Sequence, residues 1–393
     1  MGGGAAGTGV AVAAGLSVPA VGAAVGYNIA NVGPAAGVVS HAYDVRLAAV
    51  GFLTTALFVT HLATQIPGGR LVDKRGARAL AMAGLGAIAL GNILALSVAS
   101  FPIAVIGRLI AGLGTGLGFI AGSDYVRATV GSATAQGLYG AAAVGGGGLA
   151  IAVVPLTTSS IGWRAPYLTA LVGACIVLVC LPFAPRDRPR GKAARPVGAR
   201  IADIIRDRRL YPLAVAHTAS FGLSVIVGNW AVSLLQHDGY GRRLAGAIGA
   251  LTLLGGIVTR PLGGRALQRR RKRVAPLLMA SMIAGAGGTV LLLLNVALSV
   301  RIAGAAVLGL AAGIPFAAAF SGAQALRPDA PGAAIGFINS CATLVIALGT
   351  PLVGLTFSIA GHGRVGFAAI AVLWALSAIA VLPSKLQRAD QPT

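Results

Sequence analysis

The sequence predicts an all-α integral membrane fold, with twelve transmembrane helices arranged as two pseudo-symmetric six-helix bundles. Three observations carry this expectation. The 393 residues are 56% apolar and only 10% charged, with a mean hydropathy of +0.84, whereas a soluble chain carries roughly a quarter charged residues. Apolar runs of about 20 residues recur from end to end, each long enough for a hydrocarbon core of about 30 Å. Lys and Arg fall almost entirely in short bursts between those runs. Alternation of polar and apolar residues in blocks of about ten, the mark of a membrane β-barrel, is not seen.

Taken in order, the apolar runs place spans near 10–36, 45–67, 79–98, 102–122, 133–157, 164–184, 211–235, 244–267, 275–297, 302–325, 332–357 and 363–383. Most connections are short, so neighbouring helices run antiparallel. Alternate connections are rich in cations: Arg70, Lys74, Arg75 and Arg78, the basic run 186–209, the run 265–273, and Arg327. The other set carries only Arg46, Arg164, Arg242, Arg243, Arg301 and Arg364. By the positive-inside rule both termini are expected in the cytoplasm, with the protein in the cell membrane. The longest break, 185–210, holds Pro185, Pro189 and Pro196 and ends in a short amphipathic piece, Ile201 to Leu210. It reads as a cytoplasmic linker between bundle 1–184 and bundle 211–383, with a tail at 384–393.

The formal net charge of +22 does not imply nucleic acid. The cations follow the membrane topology and are not interleaved with stacking aromatics on a soluble fold. All acidic residues are Asp. Cys175, Cys180 and Cys341 lie in apolar runs without metal-ligand or redox spacing, so free thiols are expected. No cofactor, metal constellation, hydrolytic triad or Walker motif is predicted. Gly114-x-Gly116-x-Gly118 and Gly145 to Gly148 lie within apolar helices and read as close helix contacts, not nucleotide loops.

The densest charged island is Gly69-Arg70-Leu71-Val72-Asp73-Lys74-Arg75-Gly76-Ala77-Arg78, expected as a tight cytoplasmic turn between spans 2 and 3. Thr64 to Arg75 aligns without gaps to Thr259 to Arg270, sharing Thr, Gly-Gly-Arg and a terminal Arg at an offset of 195 residues. That spacing is almost half the chain and points to a parallel duplication. Gln268 stands where Asp73 stands in the first copy.

With twelve spans and a central basic loop, Gly69-x-Leu71-x-Asp73-Lys74-x-Gly76-x-Arg78 resembles the helix 2–3 signature of the major facilitator superfamily. Arg108-x-x-x-Gly112-x-Gly114 resembles its helix 4 signature, and Gly162-Trp163-Arg164 a corner common there. The resemblance implies a secondary transporter working by alternating access, not an enzyme, with spans 1, 4, 7 and 10 lining a central cavity. It also implies that Gly69, Asp73, Lys74, Gly76 and Arg78 form a latch, with Asp124 and Arg127 as partners. The plainer reading is a positive-inside anchor. The Arg260-Pro261-Leu262-Gly263-Gly264 run resembles helix 8 of nitrate/nitrite porters, with Gln65 at the place of a second clamping Arg.

Within the spans, Arg108 and Arg260 are the costliest residues, each carrying about 2.5–3.5 kcal/mol of burial penalty unless partnered. No carboxylate lies deep in any span to pair with them, which points to an anion. At 1.5 Å per residue Arg108 lies about 9 Å from the outer end of its span and Arg260 about 10 Å from the inner end. Arg108 reads equally as a substrate contact or as a brace on span 1. Asn28, Asn31 and Tyr27 share one face of span 1; Phe316, Phe320 and Gln324 form a stripe in span 10, and Asn229-Trp230 lie in span 7. These polar and aromatic groups read as substrate contacts or interhelical glue. His61 is the candidate proton carrier, set against a packing histidine; His217 reads more firmly as packing.

The expectation is a monomeric carrier of a small anionic or polar solute, with H+ as the candidate coupling ion and the lipid bilayer as its surroundings. Candidate contacts are Asn28, Asn31, Gln65, Arg108, Arg260, Trp230 and Gln324. Two other readings stand beside it: a proton-driven exporter of hydrophobic compounds, and a non-transporting sensor on the same scaffold.

Overall fold

The computed structural model describes residues 19–129, 132–183, 201–269 and 274–381, except the side chains of residues 66, 69, 70, 73, 74, 127–129, 183, 201, 267–269 and 331. Every regular element among them is helical. Span 1 comprises α1 (19–30), a 3-10 turn at Gly33–Ala35 and α2 (Ala36–Ala42). Span 2 comprises α3 (Leu47–Ala63) and α4 (Gln65–Arg75). Spans 3 to 6 are α5 (Ala77–Ser97), α6 (Phe101–Thr129), α7 (Ala133–Ile161) and α8 (Ala165–Cys180).

A short helix, α9 (Ile201–Arg206), precedes span 7, which joins α10 (Leu210–His217), a π-helical segment Thr218–Leu223, and α11 (Ser224–His237). Spans 8 to 12 are α12 (Arg242–Arg269), α13 (Val274–Leu293), α14 (Leu298–Leu326), α15 (Pro331–Leu355) and α16 (Arg364–Ala380). Eight of the described segments are long and apolar enough to cross a membrane; one of these, Ala133–Cys180, covers both α7 and α8. Leu47–Ala63 and Arg364–Ala380 are shorter apolar helices. The outward faces are apolar too, with Phe52, Leu90, Ile176 and Leu352 exposed, as a lipid-facing surface requires.

The charged island departs from the expected turn. Helix α4 continues through Arg75, so Gly69 lies in a helix and only Gly76 turns the chain, at φ 84° and ψ 154°. That φ favours a residue without Cβ. The break in span 2 falls earlier, at Thr64. Its cause is Pro67, whose ring would meet the carbonyl four residues back; a break at Thr64 puts Pro67 in the first turn of α4, where it needs no helical partner for its nitrogen. Span 8 likewise runs to Arg269, past the expected end at 267. We call the membrane side holding the α4–α5, α6–α7 and α14–α15 junctions the basic face.

Each half is a packed bundle: α5 on α6 and α8 and α3 on α6 in the first, α14 on α12 and α13 and α13 on α16 in the second. The halves meet chiefly through two helix pairs, α7 with α12 and α3 with α15. Small residues make these approaches possible. A Cβ on Gly26 would collide with the Ala143 carbonyl, and one on Gly146 with the Ala23 carbonyl, so spans 1 and 5 touch backbone to backbone. Gly145 and Gly148 meet Ile257 and Leu254 of α12, while Gly114, Gly116 and Gly118 face α5, α3 and α1 in turn. Both glycine runs are helix contacts, as their surroundings predicted.

Candidate functional site

A cavity of about 30 Å³ lies between the halves, room for a water or two. Its two walls differ in chemistry. The first half contributes Val25, Gly26 and Ile29 of α1, Phe119 of α6, and Val144 and Gly147 of α7, all without polar side chains. The second contributes His217, Ser220, Ser224 and Arg260, with Phe221, Leu253 and Phe316 between them. No carboxylate lines it among the described residues.

Span 7 supplies three polar groups from one side: His217, Ser220 and Ser224 stand at i, i+3 and i+7, the spacing of one helix face, and the π-helical segment Thr218–Leu223 lies between the first and the last of them. Arg260 is 3% exposed. Its Nη1 donates to the Gly140 carbonyl at 2.8 Å, and its guanidinium sits 4.2 Å from the centre of the Phe316 ring. Gly140 leaves space for that ring, since a Cβ there would run into it. His217 is fully buried and its Nε2 lies 3.1 Å from Asn339 Oδ1. Its ring lies 5.9 Å from that of Phe316, so His217 and Arg260 both pack on one aromatic ring. Arg260 Nε, His217 Nδ1, Ser224 Oγ, Asn339 Nδ2 and Thr343 Oγ1 are buried without a hydrogen-bond partner. Unsatisfied buried polar atoms each cost about 1–3 kcal/mol; those on Arg260, His217 and Ser224 belong to cavity-lining residues and suit a polar guest, while His61 Nε2 and Arg108 Nη2 are unpartnered in the first half.

The other sequence-predicted contacts lie elsewhere. Asn28 donates to the Ala24 carbonyl and accepts from Asn92 of α5, so it faces the interior of the first bundle. Asn31 donates to the Pro166 carbonyl of α8 at 2.7 Å and accepts from Arg108 Nη1 at 3.1 Å. Arg108 also donates from Nε to the Leu53 carbonyl of α3 at 3.2 Å. This side chain therefore ties spans 1, 2, 4 and, through Asn31, span 6. Gln65 is buried and donates to the His61 carbonyl. Trp230 donates to the Thr350 carbonyl and packs on Phe357. Gln324 follows the stacked pair Phe316 and Phe320 towards the basic face, outside the cavity lining. His61 Nδ1 meets Thr115 Oγ1 at 3.1 Å, its Nε2 is buried without a hydrogen-bond partner, and its ring packs between Phe58 and the cavity-lining Phe119.

Of the expected latch, the side chains of Gly69, Asp73, Lys74 and Arg127 lie outside the described residues. Arg78 donates to the Pro182 carbonyl past the end of α8, a contact within the first bundle. Asp124 is half-buried near the end of α6.

Three features have no counterpart in the sequence reading. On the face opposite the basic one, Asp238 accepts from Arg301 at 2.6 Å and from Arg364 at 2.7 Å, closing the ends of spans 7, 10 and 12. On that same face a wider cavity of about 500 Å³ lies between the halves, lined by His41, Gln236, His237 and Arg242. Beside it, Gly33 of span 1 is seated against the Asn229 backbone. On the basic face, Asp207 pairs with Arg209 at 2.9 Å and Arg327 with Asp329 at 2.6 Å, and Arg327 Nη1 also donates to the Asp203 carbonyl of α9. The Arg209 hydrogen bond holds the Asp207 carboxyl below its ordinary range, against the effect of burial and with help from Arg327; Arg327 does the same for Asp329.

Comparison with known proteins agrees with this architecture. A family model described as Major Facilitator Superfamily matches residues 20–350. A crystal structure of a D-xylose-proton symporter superposes with a TM-score of 0.76 at 14% identity, covering 96% of this chain and 99% of that one. The human organic anion transporter MFSD10 (TETRAN) superposes with a TM-score of 0.70 at 17% identity, covering 94% and 99%. The proton:xylose symporter XylE bound to 6-bromo-6-deoxy-D-glucose gives 0.74 at 14%, covering 95% of each chain. No curated protein sequence matches the chain.

Proposed function

The chain belongs to the Major Facilitator Superfamily, a multi-pass membrane secondary transporter and not an enzyme, and on that premise we propose that it carries a small monoanion with a compact apolar body. The observation that carries this reading is Arg260: a buried cation in a cavity between the halves, with a free Nε and no carboxylate along the described lining. An anion arriving there supplies the missing counter-charge, and the unpartnered Ser224 hydroxyl supplies a further hydrogen bond. The apolar first-half wall of Val25, Ile29, Phe119 and Val144 suits a hydrocarbon body. It does not suit a sugar, whose hydroxyls would lose water without enough replacement partners.

The wider cavity with His41, His237 and Arg242 lies on the entry route from the opposite face and concentrates anions there. Arg108 serves as a brace in this reading, and Asn28 and Asn31 as internal ties of the first bundle. Residues 69–78 act as the latch of the basic face. The basic face is cytoplasmic, with both termini on that side of the cell membrane.

Thermal unfolding of the purified carrier tests the substrate class. Methanesulfonate, acetate and nitrate are compared with methanesulfonamide, acetamide and xylose. The expected result is stabilisation by the anions alone, about 2.7 kcal/mol at a hundredfold excess over Kd. Equal stabilisation by the neutral isosteres, or by xylose in place of methanesulfonate, would overturn the reading.

A further inference from the structure

The cavity holds one base whose protonation would answer the charge of Arg260 and an anion together. We propose that His217 is the proton-binding residue of the transport cycle, taking up one proton at Nδ1 for each monoanion bound, so that transport is electroneutral. The inference rests on the anion reading of the same cavity.

The geometry fits a proton site. With Asn339 Oδ1 accepting, His217 Nε2 carries the hydrogen in the neutral ring, and Nδ1 is left as a lone pair without a partner. Protonation therefore needs no rearrangement of the Asn339 bond: the new Nδ1–H becomes a donor, and a bound anion is its acceptor. The groups around the ring leave Arg260 as the charge that matters. Span 10 presents Phe316 and Phe320, span 7 presents Phe221, and span 11 presents Asn339. Cys341 of span 11 lies two positions beyond Asn339, on another face of its helix. Span 12 is ionisable only at Arg364, at its opposite-face end.

Arg260 packs on Phe316, as His217 does, and both line the cavity. Its charge disfavours a second cation beside it while the site is empty. An anion seated between the two removes that penalty and favours the proton, so the two ligands bind cooperatively. His61 is not among the residues that line the cavity; its ring packs on Phe58 and on Phe119, which does line it.

Charge balance makes the idea testable. The empty site carries the single charge of Arg260. The loaded site carries Arg260, protonated His217 and the anion, hence the same net charge. Both crossings then move equal charge, and a complete cycle moves none. An anion carried by Arg260 alone would move one negative charge per cycle.

The test is [35S]methanesulfonate flux in proteoliposomes under imposed pH gradients and under potassium–valinomycin potentials. Methanesulfonate stays ionised at any usable pH, so a transported proton must ride on the protein. For the wild type the expected result is accumulation driven by an acid exterior and an initial rate that changes less than twofold between about −100 and +100 mV. His217→Gln should lose that accumulation at least tenfold, and its residual flux should become voltage-dependent. The proposal is overturned if wild-type flux follows voltage and ignores the pH gradient, a measurement that needs no variant, or if His217→Gln still accumulates methanesulfonate under the pH gradient. Absence of saturable methanesulfonate counterflow in the wild type removes the anion reading itself, and the coupling with it. Loss of counterflow in Arg260→Met with unchanged accumulation in His217→Gln removes the coupling alone.

Discussion

Replacing Arg108 by Met should destabilise the first bundle without removing the substrate site. Two charge-assisted hydrogen bonds are lost, to the Leu53 carbonyl at 3.2 Å and to Asn31 Oδ1 at 3.1 Å. Bonds of this kind contribute about 1.5–3 kcal/mol each. Against that, Met no longer buries a cation in the bilayer, which recovers about 2.5–3.5 kcal/mol. The balance spans about −0.5 to 3.5 kcal/mol, centred on a loss of about 1.5 kcal/mol, by the two principles together. Arg108→Lys should fare no better, because it keeps the burial penalty while losing the planar fork that reaches both acceptors. The assay is chemical unfolding in mixed micelles, run as a double-mutant cycle with Asn31→Leu. The two substitutions should couple by about 0.5–3 kcal/mol. Folded Arg108→Met should bind methanesulfonate within about threefold of the wild type, a difference of about 0.65 kcal/mol. Additive substitutions would refute the brace, and loss of binding at retained stability would place Arg108 in the site.

Two further outcomes follow from packing and from charge. Gly26→Val places side-chain atoms into the Ala143 carbonyl and must separate spans 1 and 5, costing about 1–3 kcal/mol or more; Gly86→Ala, with nothing within 4 Å of its new methyl, should gain about 0.5–1 kcal/mol in the same unfolding assay. The contacts of α9 with Arg327 should be indifferent to pH between 5 and 8 and weaken below about pH 4. The sign follows from the lowered carboxyls of Asp207 and Asp329: their contribution is present above the ordinary carboxylate range and is lost as pH falls through the lowered folded values. Hydrogen exchange at residues 201–210 measures this, and loosening already between pH 8 and pH 5 would contradict it.

Much of the fold was legible in the chain because the bilayer constrains it so strongly. Apolar run length marked the spans, and the cation distribution marked one face. The charged island identified the scaffold, although its glycines suggested a turn where Pro67 and Gly76 instead bracket a helix. The site was less legible. Arg260 stood out because a cation in an apolar run is costly anywhere. The Asn28 and Asn31 stripe was visible as a polar face, but periodicity does not say which neighbour a face meets; here it meets α5 and α8. His217 was passed over because its place near the inner end of span 7 read as packing. A signal did exist: His217, Phe221 and Ser224 recur at four- and three-residue steps, matching the Phe316 and Phe320 stripe they face. The Asp238 cluster was hidden by distance, since its arginines lie 63 and 126 residues away in the chain.

The most direct measurement is methanesulfonate binding to Arg260→Met by titration calorimetry, with unfolding stability measured alongside. Stability should change by no more than about 1–2 kcal/mol, because the lost Gly140 bond and Phe316 contact are offset by relief of a buried charge. Binding should fall by about 2–5 kcal/mol, roughly thirtyfold to several thousandfold. A folded Arg260→Met carrier that binds methanesulfonate as the wild type does would contradict the account.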